Sequence, residues 1–372
     1  MSRQPVAVIV GTRPEAIKMA PVIRELSRSK LLRPITVLTS QHRELVGQVF
    51  RSFGIKSDHD LRVMRRSQTL WNLSARLAKS LGEFFDRHPV AATLVQGDTS
   101  TAFFGGLCAY YHRIPVGHIE AGLRTGNRYA PFPEEANRKL LTALATWHFA
   151  PTVAAAERLC LEGVDRKTIH LTGNTVVDAL RWIAGQSNAS VLRRALGAIA
   201  RTRKLVLVTC HRRESFGAPM RDVAQGIAKL AAANPDVSVV FPVHPNPAVR
   251  TAVKPLLSRI SNVILRAPLP YDQFVACLQR AHFVISDSGG VQEEATALGK
   301  PVLVLRKETE RPEGIQAGAL KLVGTDAERI AIDGQRLLDD PAAYRQMSRG
   351  SDVFGDGKAA GRIVRILEQA LA

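Results

Sequence analysis

The chain has 372 residues, 45% of them hydrophobic and 23% charged, proportions of an ordinary globular protein and a length that implies two domains. No apolar run approaches membrane-spanning length, and the short N-terminal apolar stretch lacks a cleavage-site pattern, so a cytoplasmic chain without a membrane partner is expected. The balance of 51 Lys and Arg against 33 Asp and Glu leaves a net charge of +18, which points to anionic ligands.

Strand-like apolar runs alternate with helix-like segments along the chain. In the first half the predicted strands are 6–10, 35–39, 91–95, 116–119 and 148–150. In the second they are 205–209, 237–242, 262–265, 282–286 and 301–305. Stretches such as 15–27, 70–87 and 221–233 between them carry apolar residues at helical spacing. Alternation of this kind implies parallel sheets with right-handed crossovers, so each half is expected to be a Rossmann-like, doubly wound α/β domain. The boundary is placed near Leu171-Thr172-Gly173-Asn174, giving domains 1–172 and 173–355. A second break near Gly355-Asp356-Gly357 sets off an apolar C-terminal helix in 356–372, expected to pack back on the first domain. Two such domains facing a cleft would gather ligand-binding groups at the carboxyl ends of their strands.

At the first strand end, Gly11-Thr12-Arg13-Pro14-Glu15-Ala16-Ile17-Lys18 enters a helix, with Pro14 suited to the first turn. Arg13 and Lys18 are read there either as surface residues or as cations facing a ligand. Gly97-Asp98-Thr99 leaves another strand. Gly117-His118-Ile119-Glu120-Ala121-Gly122-Leu123-Arg124 leaves the next and runs on to Pro133-Glu134-Glu135-Ala136-Asn137-Arg138. That density of charge among small residues is not expected of a packed core, because each buried charge needs its own partner. A rigid strand-to-helix turn is instead where binding and catalytic groups sit. Asp98, Glu120 and Glu134 are candidates for proton transfer, with helix capping as the plainer alternative.

In the second half, His211-Arg212-Arg213 follows a strand and fits a phosphate contact. Ser286-Asp287-Ser288-Gly289-Gly290-Val291-Gln292-Glu293-Glu294 follows a strand and opens a helix. A tight turn or a phosphate loop would both produce Ser288-Gly289-Gly290, and the placement favours phosphate. Glu294, a turn further on, suits a ribose diol. The cysteines Cys108, Cys160, Cys210 and Cys277 and the ten histidines show no metal-ligand spacing, so no metal is expected. From residue 179 to 213 there are eight basic residues and no acidic one. A nucleic-acid surface is one reading of that stretch. Aromatics at 6% and the lack of a nucleic-acid-binding signature favour solvated surface on an enzyme for anionic substrates, so nucleic acid is not the expected partner.

Together these residues resemble the non-hydrolysing UDP-N-acetylglucosamine 2-epimerase family. The resemblance runs through nearly the whole chain, in order: GTRPEAIKMAPVI, QHRE, QGDTSTA, PVGHIEAGLRTGN, PFPEEANR, TGNTVVDAL, HRRESFG, PVHPNP, SDSGGVQEEA, GKPVLVLR and TERPEG. It implies the two-domain glycosyltransferase-B fold in a homodimer, with neither NAD nor metal as cofactor. It implies reversible C2 epimerisation of UDP-GlcNAc and UDP-ManNAc through elimination of UDP to 2-acetamidoglucal, supplying ManNAc for bacterial surface polysaccharide. The implied catalytic residues are Asp98, Glu120, Glu134, His211 and Lys18. Arg13, Ser288, Gly289, Gly290, Glu294 and Arg311 match UDP-binding positions, and Phe274 lies near the uracil contact.

Hydrolysing relatives typically read G-D-R where this chain has Gly97-Asp98-Thr99, and they lack the Arg-Pro-Glu loop. Relatives acting on diacetamido-uronic sugars tend to differ across residues 125–133. Gln41, Arg212 and His244 match contacts to a second, activating UDP-GlcNAc in many bacterial members. Ser67 stands where some of those carry Arg, and Glu44 where some carry Gln; losing a cation weakens phosphate binding. A hydrolysing epimerase, a glycosyltransferase of the same fold and a nucleic-acid-binding protein are the alternatives.

Overall fold

In a computed structural model the chain is described at residues 2–40, 43–65, 68–197, 204–210, 212, 215–350 and 352–372. Its contacts divide it into two compact units, Met1–Arg181 with Phe354–Ala372, and Trp182–Val353.

The first unit opens with strand β1 (Gln4–Val10), helix α1 (Arg13–Arg28), β2 (Leu32–Leu38), α2 (Arg43–Phe53) and the two-residue β3 (His59–Asp60). It continues through α3 (Leu70–Arg87), β4 (Ala92–Gln96), α4 (Ser100–Tyr111), β5 (Val116–Ile119) and α5 (Glu134–Leu144). Then come β6 (Trp147–Ala150), α6 (Val153–Leu161), β7 (Ile169–Leu171) and α7 (Thr175–Gln186). The seven strands form one parallel sheet in the order β3-β2-β1-β4-β5-β6-β7. Val6 to Val10 are fully buried, as a central strand covered on both faces requires. Ile9, Val37, Leu77, Leu81 and Val95 belong to the core beneath α3 and α4.

The second unit holds α8 (Ala189–Leu196), β8 (Lys204–Thr209), α9 (Ala218–Ala233), β9 (Val237–Pro242), α10 (Pro247–Leu257) and β10 (Val263–Arg266). After these come α11 (Tyr271–Arg280), β11 (Phe283–Ser286), α12 (Gly289–Ala297), β12 (Val302–Val304) and α13 (Pro312–Gln316). The unit ends with β13 (Leu320–Leu322), α14 (Ala327–Asp339) and α15 (Pro341–Met347). Its sheet is also all parallel, in the order β10-β9-β8-β11-β12-β13. Val206, Val208, Phe241, Phe283 and Ile285 centre its core.

The last helix, α16 (Ala359–Leu371), belongs to the first unit. It packs on α1, and Ser29 donates its hydroxyl to Glu368 at 2.6 Å. Its first turn is capped by Asp178 of α7, which accepts the amides of Ala359 and Ala360 at 3.2 and 2.8 Å. The sequence places the boundary near Leu171–Asn174; the contacts place it after Arg181, because this cap ties the first half of α7 to the first unit. Among the described residues, no helix is long and apolar enough to cross a membrane.

Strand order reverses between β1 and β4 in one sheet and between β8 and β11 in the other. In a doubly wound sheet the loops leaving such a strand pair turn to opposite faces and leave a crevice for ligands. The expected Rossmann-like, doubly wound pattern holds in both units.

Candidate active site

In the first unit the loop after β1 enters α1 through Gly11 and Thr12. A side chain at Gly11 would force the buried Thr101 and Thr39 to shift: its Cβ would lie 2.2 Å from the Thr101 hydroxyl and 2.7 Å from that of Thr39. Arg13 begins α1 and is half-buried. Glu15 is wholly buried, accepting the amides of Gly11 and Thr12 at 3.2 and 2.6 Å and the Thr99 hydroxyl at 2.7 Å. Burial raises its pKa to about 7 against the pull of those bonds. Lys18, one turn further along α1, pairs with Glu120.

The loop after β4 holds Gly97 at φ 71°, Asp98 and Thr99. Thr99 is the N-cap of α4, its hydroxyl accepting the Ala102 amide at 3.0 Å. The Asp98 carboxylate pairs with Arg138 at 2.6 Å, and its carbonyl accepts from Asn137 at 2.8 Å. Buried His118 donates from Nε2 to the Gly97 carbonyl at 2.8 Å, the tautomer following from the acceptor. Burial lowers its pKa to about 4, so the ring is neutral at physiological pH.

Glu120 immediately follows β5 at φ 65°, left-handed backbone that a residue with a side chain adopts only under constraint. Its carboxylate accepts from Lys18, from Gln96 and, at 3.0 Å, from Asn174. A Cβ on Gly97 would stand 3.6 Å from Glu120 Oε2, so the Asp98 loop and this carboxylate are neighbours. Gly122 is at φ 92°, where a Cβ would strike the Ala155 carbonyl at 2.2 Å. Glu134 is half-buried at the start of α5, where the helix end favours negative charge.

The charged run from His118 to Arg138, expected to avoid a packed interior, is instead largely buried: His118, Glu120, Arg124, Glu135 and Arg138 are all below one-tenth exposure. Each has a partner, which removes the objection to burial. Arg124 holds Glu162 through two bonds of 2.8 and 2.6 Å. Glu135 accepts the amides of Thr125 and Gly126, each at 3.1 Å, and pairs with Arg138 at 3.0 Å. These residues brace the loop, while Asp98, Glu120 and Glu134 sit at strand and helix ends.

In the second unit Ser288 is the N-cap of α12, and Gly289 and Gly290 form its first turn. The Arg311 guanidinium lies against Gly289, where a Cβ would come within 2.3 Å of it. Arg311 is oriented by Glu293 at 2.7 Å and Glu310 at 3.1 Å. A helix N-terminus with bare glycine backbone and an adjacent guanidinium suits a phosphate group. Buried Glu294 accepts from the Tyr271 hydroxyl at 2.7 Å; Tyr271 and buried Phe274 are successive on one face of α11. Asp287 accepts the Arg212 amide at 2.8 Å and the Cys210 thiol at 3.3 Å, joining the loops after β8 and β11. Arg212 is half-buried, and exposed His244 follows β9 with its Nδ1 accepting the Asn246 amide at 3.2 Å. His211 and Gln41 lie outside the described residues, as does Ser67.

Sequence reading missed Glu15, His118, Gln96, Asn174, Tyr271 and Asp287. Only Glu15 left a signal, three residues after Thr12 at the spacing of a capping box.

Two all-parallel, doubly wound units with polar loops at their switch points make the glycosyltransferase-B class of fold. The structure of the glycotransferase of kitacinnamycin shares that fold at a TM-score of 0.66 and 14% identity, with 100% of each chain covered. The pattern of the UDP-N-acetylglucosamine 2-epimerase family matches residues 24–368. The UDP-N-acetylglucosamine 2-epimerase of Escherichia coli K12 is 45% identical over 368 residues, 98% of each chain. The crystal structure of UDP-GlcNAc 2-epimerase from Neisseria meningitidis bound to UDP-GlcNAc superposes with a TM-score of 0.94 at 42% identity, covering 98% of this chain and 100% of that one. The chain belongs to the UDP-N-acetylglucosamine 2-epimerase family.

Proposed function

We propose that this chain is a non-hydrolysing UDP-N-acetylglucosamine 2-epimerase that interconverts UDP-GlcNAc and UDP-ManNAc. The observation that carries the reading is the full-length match to an epimerase bound to UDP-GlcNAc. The C2 hydrogen of the sugar is not adjacent to a carbonyl, so simple deprotonation would leave a poorly stabilised carbanion. Elimination avoids that: the C1–oxygen bond breaks with its electron pair going to UDP, and C2 gives up its proton as the C1–C2 double bond of 2-acetamidoglucal forms. Protonation of C2 from the other face and return of UDP to C1 complete the inversion.

The carboxylates of Asp98, Glu120 and Glu134 supply the base and acid at C2. Lys18, beside Glu120, and His211 act on the departing diphosphate. Arg13, Ser288, Gly289, Gly290 and Arg311 bind the diphosphate, Glu294 the ribose and Phe274 the uracil. Gln41, Arg212 and His244 match contacts to a second, activating UDP-GlcNAc, with Ser67 in place of a cation weakening that site. The protein works in the cytoplasm as a homodimer, its product feeding bacterial surface polysaccharide.

Incubation with UDP-GlcNAc in D2O, followed by NMR, tests the reading. UDP-ManNAc with deuterium at C2 is expected. Epimerisation without deuterium overturns the elimination route, accumulation of free ManNAc and UDP identifies a hydrolase, and turnover only with an added acceptor identifies a glycosyltransferase.

A further inference from the structure

Glu15 is a buried carboxylate for which the proposed chemistry has no use. One of its oxygens takes the amides of Gly11 and Thr12 and the other takes the Thr99 hydroxyl. The donors come from the loops after β1 and β4, the adjacent strands between which the sheet order reverses. The Thr99 hydroxyl accepts the Ala102 amide and donates to Glu15, so this one group serves both the start of α4 and the bridge. On one side of this bridge α1 carries Lys18 to Glu120; on the other, Asp98 immediately precedes Thr99. A plain helix cap would need only the Gly11 and Thr12 amides.

We infer that Glu15 is a positioning residue: its carboxylate holds the loop that leads into the Lys18-bearing helix α1 in register with the Asp98-bearing loop for the proposed epimerisation. This rests on the epimerase reading. Misplacing catalytic groups by an ångström costs rates severely even when binding survives.

Thr99→Val removes the bridging hydroxyl while keeping the shape of the side chain, and Thr99→Ser keeps the hydroxyl. Glu15→Asp, one methylene shorter, breaks the bridge from its other end should Thr99→Val not fold. Steady-state kinetics with UDP-GlcNAc and amide hydrogen exchange by mass spectrometry are read together. For Thr99→Val and Glu15→Asp a fall in kcat of about tenfold or more is expected, with KM within about threefold of wild type. Faster exchange is expected in both loops, including residues 11–12 in Thr99→Val, and Thr99→Ser should restore most of kcat. Exchange altered only around Ala102, with kcat near wild type, would reduce Thr99 to a cap of α4 and overturn the inference alone. Failure of the wild-type protein to convert UDP-GlcNAc overturns the epimerase reading and this role with it.

Discussion

Glu120 concentrates the tension between folding and chemistry in one residue. Its left-handed backbone costs about 1–2 kcal/mol relative to ordinary conformations, and Lys18, Gln96 and Asn174 hold the carboxylate in place. Replacing Asp98 by Asn or Glu120 by Gln is expected to lower turnover at least about a hundredfold, the usual scale of acid–base roles. Near-normal turnover in either variant removes that residue from the catalytic set. Glu15 makes a separate prediction through pH. Its carboxyl is raised to about 7 in the folded protein from an ordinary 4.5, so its contribution is full below pH 4.5 and is lost as pH rises through 7. Glu15→Gln does not titrate, so its stability relative to wild type should climb by about 3 kcal/mol between pH 4 and 8, measured by denaturant unfolding. A flat difference would show that Glu15 ionises normally. Buried His118 has the opposite sign, adding stability above pH 6.5 that fades toward pH 4, and it cancels in the comparison. Asp98, Glu120 and Lys18 stand out in the sequence as candidates because they lie in dense motifs that follow strands. Glu15, Tyr271 and Asp287 do not, because what defines them is a hydrogen bond to a residue far away in sequence.

At the scale of elements the two units repeat one device. Glu15 joins the loops after β1 and β4, and Asp287 joins those after β8 and β11, each at the reversal of strand order. The central strands could be read directly from sequence: residues 116–119 and 237–242 match β5 and β9 at both ends. The edge strands β3, β7 and β13 escaped notice because half-buried strands of two or three residues carry no continuous apolar run. The sequence places the C-terminal helix within 356–372, whereas its exact first turn at Ala359 depends on Asp178, which lies far away in sequence. Asp178→Ala should therefore destabilise the protein by about 1–2 kcal/mol, the ordinary worth of a capping carboxylate, as read from the shift in urea midpoint. A loss of a few tenths would mean that packing on α1 alone seats the helix.

For the whole molecule, a charge of +18 should act on the rate at which a doubly negative nucleotide sugar is captured. Raising KCl from about 50 to 500 mM should lower kcat/KM by roughly threefold or more with kcat nearly constant, because screening acts on approach and not on closely held groups. A kcat/KM insensitive to salt would leave the excess charge without a part in capture. The return of α16 to the first unit has a further consequence, for the order in which the protein is made. The first unit's sheet is complete by Leu171, yet the helix that covers part of α1 is translated only after the whole of the second unit. At roughly 5–20 residues per second, the ribosome takes on the order of ten to thirty seconds to add those residues. During that interval the face of α1 destined for Ile363, Val364 and Leu367 is open to water, and nascent chains shielded by a chaperone through this window should give the higher yield of folded protein.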